Sequence, residues 1–227
     1  LALKWILTLT STLVFKKWYV MIASKIQSIR GVLYMFTEEQ LQAMIRKQKV
    51  SEQYPYSEND DETLVHYLKR LLADMSRAHI RYTIDSNHFG SGYASYIQLF
   101  CYRDEFVTIT ETNGEKKEER IGLNVLVSRL APVIAIGGNA WEFTYVDASG
   151  KRVGGSHSML DDPNELHIDK KFQELYNDLV RLFMKYQFTL LQKEDVDAPL
   201  SFAANIPTLS RRKGQYIVWD AIFYWED

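Results

Sequence analysis

The order in which the periodic segments follow one another is the feature that most constrains the fold. Two segments with helical periodicity, about 38–48 and 60–78, come first, and strand-like segments follow over about 80–153. A third helix is predicted over 169–186, and β-branched and aromatic residues over 216–225 predict a last strand. Helices and strands grouped in this way favour an α+β fold over alternating parallel units. We therefore expect a mainly antiparallel sheet flanked by about three helices.

A helix-capping pattern predicts where the folded domain begins. Thr37 is a good N-cap, and Gln40 stands three residues later, where it completes a capping box. Phe36 and Leu41 occupy the two positions that pack together as a hydrophobic staple. Because these signals agree on one boundary, we expect a single α+β domain over residues 35–227.

Residues 1–34 are expected to lie outside that domain. Their apolar run, Trp5 to Phe15, has about half the length that a transmembrane helix needs, and hydroxyl residues dilute it. No clean cleavage site for a signal peptide follows the run. Three alternatives stay open: translated sequence upstream of a natural start at Met35, a membrane anchor over residues 5–22, and an amphipathic surface helix.

The charge of the chain is unevenly distributed. Residues 1–37 carry five basic and no acidic residues, which leaves 22 basic against 29 acidic residues, or a net −7, in the remainder. An acidic body argues against a nucleic-acid-binding protein, and it would attract a partner of positive charge. The one cysteine, Cys101, shares a predicted strand face with Ile97 and Leu99, so we expect a buried thiol. A single cysteine is compatible with a cytoplasmic location, which we expect.

The segment around His157 comes nearest to a catalytic pattern. Ser156 or Ser158 with His157 and Asp161 supplies the residue types of a hydrolase triad. The Gly-x-Ser-x-Gly motif is absent, and adjacency in sequence does not create the geometry of a triad. A solvated loop that leads into a helix explains the same residues. A hydrolase is therefore the alternative hypothesis, and the sequence favours a binding function over catalysis.

No motif predicts a metal site, a cofactor or a phosphate-binding loop. The sequence lacks HExxH and CxxC patterns, and one cysteine cannot build a structural zinc site. The glycine pairs at 137–138 and 154–155 follow neither the P-loop nor the dinucleotide-binding pattern. We interpret both pairs as turns.

Aromatic residues make up 13% of the chain, and they are dense at its C-terminus. If residues 216–225 form a strand, both of its faces carry large side chains. One face would be core, and a helix, a strand or a partner would cover the other, because a wide exposed aromatic patch is unfavourable. Trp and Tyr dominate binding hot spots, so we predict that a partner contacts Trp219, Tyr224, Trp225, Glu226 and Asp227.

Two segments resemble bacterial immunity proteins of polymorphic toxin systems: Val-Ser-Arg-Leu-Ala-Pro at 127–132 and the terminus 218–227. The resemblance covers about a fifth of the chain, and neither segment is a catalytic signature. It implies a cytoplasmic, non-enzymatic protein that binds a cognate toxin domain and blocks it. We therefore expect a protein-binding domain, with an immunity role and a basic toxin domain as the narrower hypothesis. An envelope-associated protein held by residues 5–22 is a further alternative.

Overall fold

A curled antiparallel sheet forms the centre of the fold. The computed structural model describes residues 35–58, 60–86, 92–112, 114–208 and 210–226, apart from the side chain of Asp61. Its strands are β1 (Arg81–Asp85), β2 (Tyr96–Tyr102), β3 (Val107–Thr112), β4 (Glu115–Ser128), β5 (Val133–Val146), β6 (Arg152–His157) and β7 (Thr189–Leu190). They are ordered β1-β2-β4-β5-β6, with β3 paired to β4 and β7 paired in parallel to β5. All the other strand pairs are antiparallel.

Three longer helices and two short ones accompany the described part of the sheet. They are α1 (Glu38–Ile45), α2 (Asp61–Arg77), α3 (Gln173–Lys185), α4 (Lys193–Val196) and α5 (Val218–Ile222). The predicted α+β class is confirmed. The predicted capping box is also present, since the Thr37 hydroxyl accepts the Gln40 N–H at 3.2 Å and the Gln40 side chain accepts the Thr37 N–H at 2.9 Å.

The two faces of the sheet pack into separate cores. On one face, Ile97, Leu99 and Val125 are buried against the apolar sides of α2 and α3. We call this the helix-covered face. On the other face, Tyr96 and Leu126 are buried against α1, α5 and the C-terminal residues. We call this the concave face, because the Thr83 hydroxyl of β1 reaches Glu142 of β5 across it at 3.0 Å, although β2 and β4 lie between them in the sheet.

The glycine pairs lie within strands, so their predicted placement in turns is wrong. Gly138 has a φ of +69°, and the pairing of β4 with β5 shifts register there, which is the geometry of a β-bulge. Gly137 permits close packing, because a Cβ on it would stand 2.5 Å from the Glu165 carbonyl oxygen. A Cβ on Gly155 in β6 would stand 2.7 Å from the Phe143 carbonyl oxygen. β-Bulges and close backbone contacts require glycine just as turns do. The sequence alone therefore does not show which of these three a glycine pair forms.

The C-terminal segment forms a helical turn rather than the predicted strand. Val218–Ile222 is α5, and the Asp220 carboxylate accepts the N–H of Ile217 at 2.9 Å, which satisfies the first turn of the helix. After α5, Trp225 forms an isolated antiparallel β-bridge with Ala94. Aromatic and β-branched residues favour strands only weakly, and their burial in the concave core overrides that preference.

Residues 36–227 form one compact unit. The three hypotheses for residues 1–34 lie outside the described residues. Among the helices that are described, none combines the length and the apolar composition that crossing a bilayer demands.

Candidate functional site

Two of the predicted contact residues at the C-terminus are core residues. Trp219 is 1% exposed, and its ring lies 4.8 Å from the ring of Phe223 between centroids. Tyr224 is fully buried, and its hydroxyl donates a hydrogen bond to the Met44 carbonyl oxygen at 3.1 Å. These two side chains connect α5 and the C-terminal residues to α1. A partner that docks on the folded domain does not reach them.

The other three predicted contact residues lie nearer to the surface or outside the described residues. Trp225 is half-buried and packs against the concave core. Glu226 is also half-buried, and its carboxylate pairs with the Lys47 ammonium at 2.8 Å. Asp227 lies outside the described residues. For Trp225 and Glu226, contact with a partner therefore stays a prediction.

A buried ion pair holds α5 in place. The Asp220 carboxylate is buried, and it accepts a hydrogen bond from the Arg211 guanidinium at 2.7 Å. Burial raises the pKa of Asp220 above its ordinary value, and the Ile217 N–H and the Arg211 charge oppose that rise. Arg211 also pairs with Asp162. The charge of Arg211 is therefore used for pairing within the domain.

The structure separates the residues of the alternative hydrolase. Ser156 and His157 are consecutive residues of β6, so their side chains point to opposite sides of the sheet. His157 and Ser158 line a cavity on the concave face, whereas Ser156 is exposed outside it. The Ser158 hydroxyl accepts the N–H of Trp141 at 2.9 Å. The hydrolase hypothesis, now limited to Ser158 and His157 within one cavity, stays a prediction.

Asp161, the acid of that hypothesis, occupies a partly buried position. Its own backbone N–H donates to the Glu165 carboxylate at 3.0 Å. Burial raises the pKa of the Asp161 carboxyl, and the neighbouring charges of Glu165 and Asp162 raise it further. The environment of Asp161 thus disfavours its charged form.

An exposed column of aromatic side chains stands on β5, and the sequence did not identify it as a site. Trp141, Phe143 and Tyr145 alternate along the strand, so they share the helix-covered face. The rings of Trp141 and Phe143 stack with centroids 5.4 Å apart, and Phe143 meets Tyr145 edge to face at 5.4 Å. Trp141 is 37% exposed and Tyr145 is 39% exposed. We call these three residues the β5 column.

The column is exposed because β4 and β5 extend beyond the helices. Each of the two strands has 14 residues. The half of β4 that contains Leu123 and Val125, with Ile134 and Ile136 of β5, is buried under α2 and α3. The other half, on the far side of the bulge at Gly138, carries the column.

The neighbours of the column leave its rings accessible. On β4, the Lys117 ammonium lies 5.0 Å from the centroid of the Phe143 ring and pairs with Glu119 at 3.0 Å. On β6, Gly154 and Ser156 are the residues that pair with Tyr145 and Phe143, and neither carries a large side chain. β6 also ends the order of the described strands. The column is therefore bordered by a compensated charge pair on one side and by small residues on the other.

The sequence contains a signal for this surface. Residues 141–145 read Trp-Glu-Phe-Thr-Tyr, a strict alternation of aromatic and polar side chains. Such an alternation predicts a strand with one apolar face, and that face is usually assigned to the core. Which half of a long strand is covered depends on the lengths and positions of the helices, and this information is not local to the segment.

No cluster of three or more His, Cys, Asp or Glu side chains suited to a metal ion occurs within the described ranges. Comparison with protein-family models, with curated proteins and with solved structures finds no match for this chain.

Proposed function

We propose that residues 36–227 are a protein-binding domain and that the partner docks on the β5 column. The observation that supports this proposal is a contiguous row of three aromatic side chains in ring contact on one strand, of which Trp141 and Tyr145 are exposed and Phe143 is half-buried. Exposed aromatic patches of this kind mark interaction surfaces, and Trp and Tyr are the residues most often found at hot spots. Strand residues are fixed before binding, so little conformational entropy is lost on association.

The partner that fits this domain is a protein of net positive charge with an apolar contact surface. Residues 38–227 carry the net charge of −7, which would speed the encounter with a basic protein. The column itself lies beside the Lys117–Glu119 pair, so the contact there is apolar rather than charged. Charge would therefore act on the association rate, and the rings would act on the lifetime of the complex.

The narrower proposal is an immunity protein that neutralises a toxin domain. It rests on the resemblance of residues 127–132 and 218–227 to such proteins. Val127, Leu130 and Trp219, which belong to those segments, are buried. At these three residues the resemblance therefore concerns the packing of the core and not a surface that a partner would contact.

Site-specific photo-crosslinking tests the docking surface. A photoreactive phenylalanine derivative replaces Tyr145 in the full chain, in the cell that encodes it. The matched control places the same group at Ile109, which is exposed on β3 but points to the other face of the sheet. We expect one defined adduct from position 145, with a protein of net positive charge, and none from position 109. No adduct from 145, or equal adducts from both positions, would contradict the proposal.

Affinity measurements with the identified partner then test the role of the rings. The Trp141→Thr substitution is expected to weaken binding by about 30-fold, the loss that corresponds to a hot spot of about 2 kcal/mol. Ile109→Thr is the control and is expected to leave the affinity unchanged. An unchanged affinity for Trp141→Thr would exclude the column as the contact surface. For the narrower proposal, the partner must be toxic to the cell, and co-expression of the wild-type chain, but not of Trp141→Thr, must restore growth.

A further inference from the structure

A cavity of about 370 Å³ opens on the concave face, away from the β5 column. Its wall comes from both ends of the curled sheet, with Thr83 and Asp85 on β1 and Arg152 and His157 on β6. The volume lies in the range of small-molecule sites. Curling of the sheet brings these two edge strands together, and the concave core under α1 and α5 does not fill this part of the face.

One amide oxygen at the floor of the cavity accepts no hydrogen bond from the described chain. Gln98 is 5% exposed and lines the cavity, and no group in the described chain donates to its Oε1 atom. The neighbouring Asn124 is fully buried, and its Oδ1 atom likewise has no partner among the described residues. A buried acceptor without a donor is unfavourable by about 1–3 kcal/mol, so such a pair requires an explanation.

The orientation of both amides is determined by one carbonyl group. The Nε2 atom of Gln98 lies 3.5 Å from the Ser158 carbonyl oxygen, and the Nδ2 atom of Asn124 donates to the same oxygen at 3.1 Å. Rotating either amide by 180° would place two oxygen acceptors against each other. The NH₂ groups therefore face Ser158, and the Gln98 oxygen stays available to the cavity as an acceptor.

A carboxylate held in a fixed position lines the same cavity. The Glu142 Oε2 atom accepts the Thr83 hydroxyl at 3.0 Å and the Arg120 guanidinium at 3.0 Å. Phe100, which is buried, adds an aromatic ring to the same floor. One unpartnered amide oxygen, a carboxylate that shares its charge with Arg120 and an aromatic ring favour a group that carries N–H donors, such as an ammonium.

Arg152 brings a positive charge to the rim of the cavity. Arg152 is exposed, and its guanidinium lies over Gly155, where a Cβ atom would stand 2.9 Å from Nη2. No ion pair engages Arg152 within the described part of the chain. A guanidinium binds a carboxylate with two parallel hydrogen bonds, so the rim favours an anionic group.

We propose that this cavity binds a free amino acid, or a similarly small zwitterion, with its ammonium toward Gln98 and Glu142 and its carboxylate toward Arg152. The unpartnered amide oxygen and the carboxylate at the floor match the ammonium, and the guanidinium at the rim matches the carboxylate. The site is separate from the β5 column, and the proposal does not depend on a protein partner.

Thermal unfolding of the full chain in the presence of each of the twenty free amino acids, at millimolar concentration, is the first test. At least one amino acid is expected to raise Tm in proportion to the logarithm of its concentration, because a ligand that binds the native state stabilises it. Glycerol at the same concentration is the control. The proposal is wrong if no amino acid raises Tm more than glycerol does.

Two substitutions then locate the binding. Gln98→Met removes the unpartnered oxygen and keeps the length of the side chain, and Arg152→Gln removes the charge at the rim. Each is expected to weaken amino-acid binding at least tenfold in calorimetric titration, whereas Lys151→Gln, a neighbouring change outside the cavity lining, is expected to leave it unchanged. Binding that survives both substitutions would place the ligand elsewhere and overturn the proposal.

Folding of the variants is checked without ligand. Gln98→Met is expected to unfold at the same or a higher urea concentration than the wild type, because it removes a buried acceptor that has no donor. If Gln98→Met unfolds at a higher urea concentration and no amino acid binds the wild type, the Gln98 oxygen faces only water. The proposal then fails.

Discussion

Residues 216–225 and the outer half of β5 are both rich in large aromatic side chains, yet the fold treats them in opposite ways. In the C-terminal segment, Trp219 and Tyr224 are buried in the concave core. In β5, Trp141 and Tyr145 remain more than a third exposed. Composition alone therefore does not decide whether an aromatic cluster is core or contact surface.

The difference between the two regions lies in what covers them. The C-terminal segment turns as α5, and all five residues of this helix are buried, with its apolar side chains packed together with α1 and the concave face of the sheet. The β5 column stands on a strand whose outer half extends past α2 and α3. A short helix that other elements surround becomes part of the core. A strand that extends past the helices covering it leaves side chains accessible to a partner.

The largest expected contrast is in stability. Trp219→Ala is expected to lower the free energy of unfolding by about 3–5 kcal/mol, because it leaves a large cavity in a close-packed core. Trp141→Ala, the matched change in the column, is expected to lower it by less than about 1 kcal/mol, since substitutions at exposed sites have small effects. Urea unfolding measures both. Equal losses would show that the column is core as well.

A smaller contrast concerns the two tyrosine hydroxyl groups. Tyr224→Phe removes a buried donor to the Met44 carbonyl oxygen, and we expect a loss of about 0.5–1.5 kcal/mol in the free energy of unfolding. Tyr145→Phe is the control in the column and is expected to change that quantity by less than about 0.5 kcal/mol. A larger loss for Tyr145→Phe than for Tyr224→Phe would reverse the comparison.

The smallest contrast is one of pH. Burial raises the pKa of Asp161, next to Leu160 of the concave core, above the ordinary value of 3.8. In the turn that follows β5, hydrogen bonds from Ser149 and Lys151 lower the pKa of Asp147 below 3.8. The ionisation of Asp161 therefore lowers the free energy of unfolding progressively as the pH rises from 3.8 to the folded pKa, and in full above it, whereas the charge of Asp147 supports folding in full at pH values above 3.8.

Asparagine substitutions make this contrast measurable. At neutral pH, Asp161→Asn is expected to raise the free energy of unfolding and Asp147→Asn to lower it. Both differences are expected to shrink as the pH falls to the ordinary carboxyl pKa of 3.8 and below, where the wild-type residues also become neutral. Urea unfolding at several pH values is the measurement. The same sign for both variants at neutral pH would contradict the account of their environments.

Local sequence patterns predicted the fold class and several boundaries. The capping box of Thr37 and Gln40 is present, and the buried thiol of Cys101 is where strand alternation predicted it. Each of these features depends on residues within a few positions of one another. Helix caps and strand alternation are local, so one sequence is enough to recognise them.

The candidate site was predicted less well, because it depends on contacts between distant segments. The predicted contact residues included Trp219, whose burial depends on packing against α1, far away in the sequence. The exposure of Trp141 depends on where α2 and α3 end relative to the sheet. The Gln98 oxygen is left without a donor because the Gln98 NH₂ group is turned toward the Ser158 carbonyl oxygen, and Ser158 lies far away in the sequence. None of these relations is encoded in the spacing of neighbouring residues.

Fluorine NMR of the 5-fluorotryptophan-labelled chain tests the central contrast most directly. A gadolinium chelate in the solvent broadens the resonances of exposed rings, and Trp141→Phe and Trp219→Phe assign the two signals. We expect strong broadening for Trp141 and little for Trp219. Equal broadening, or a protected Trp141 beside an exposed Trp219, would show that the accessible aromatic surface is not the β5 column.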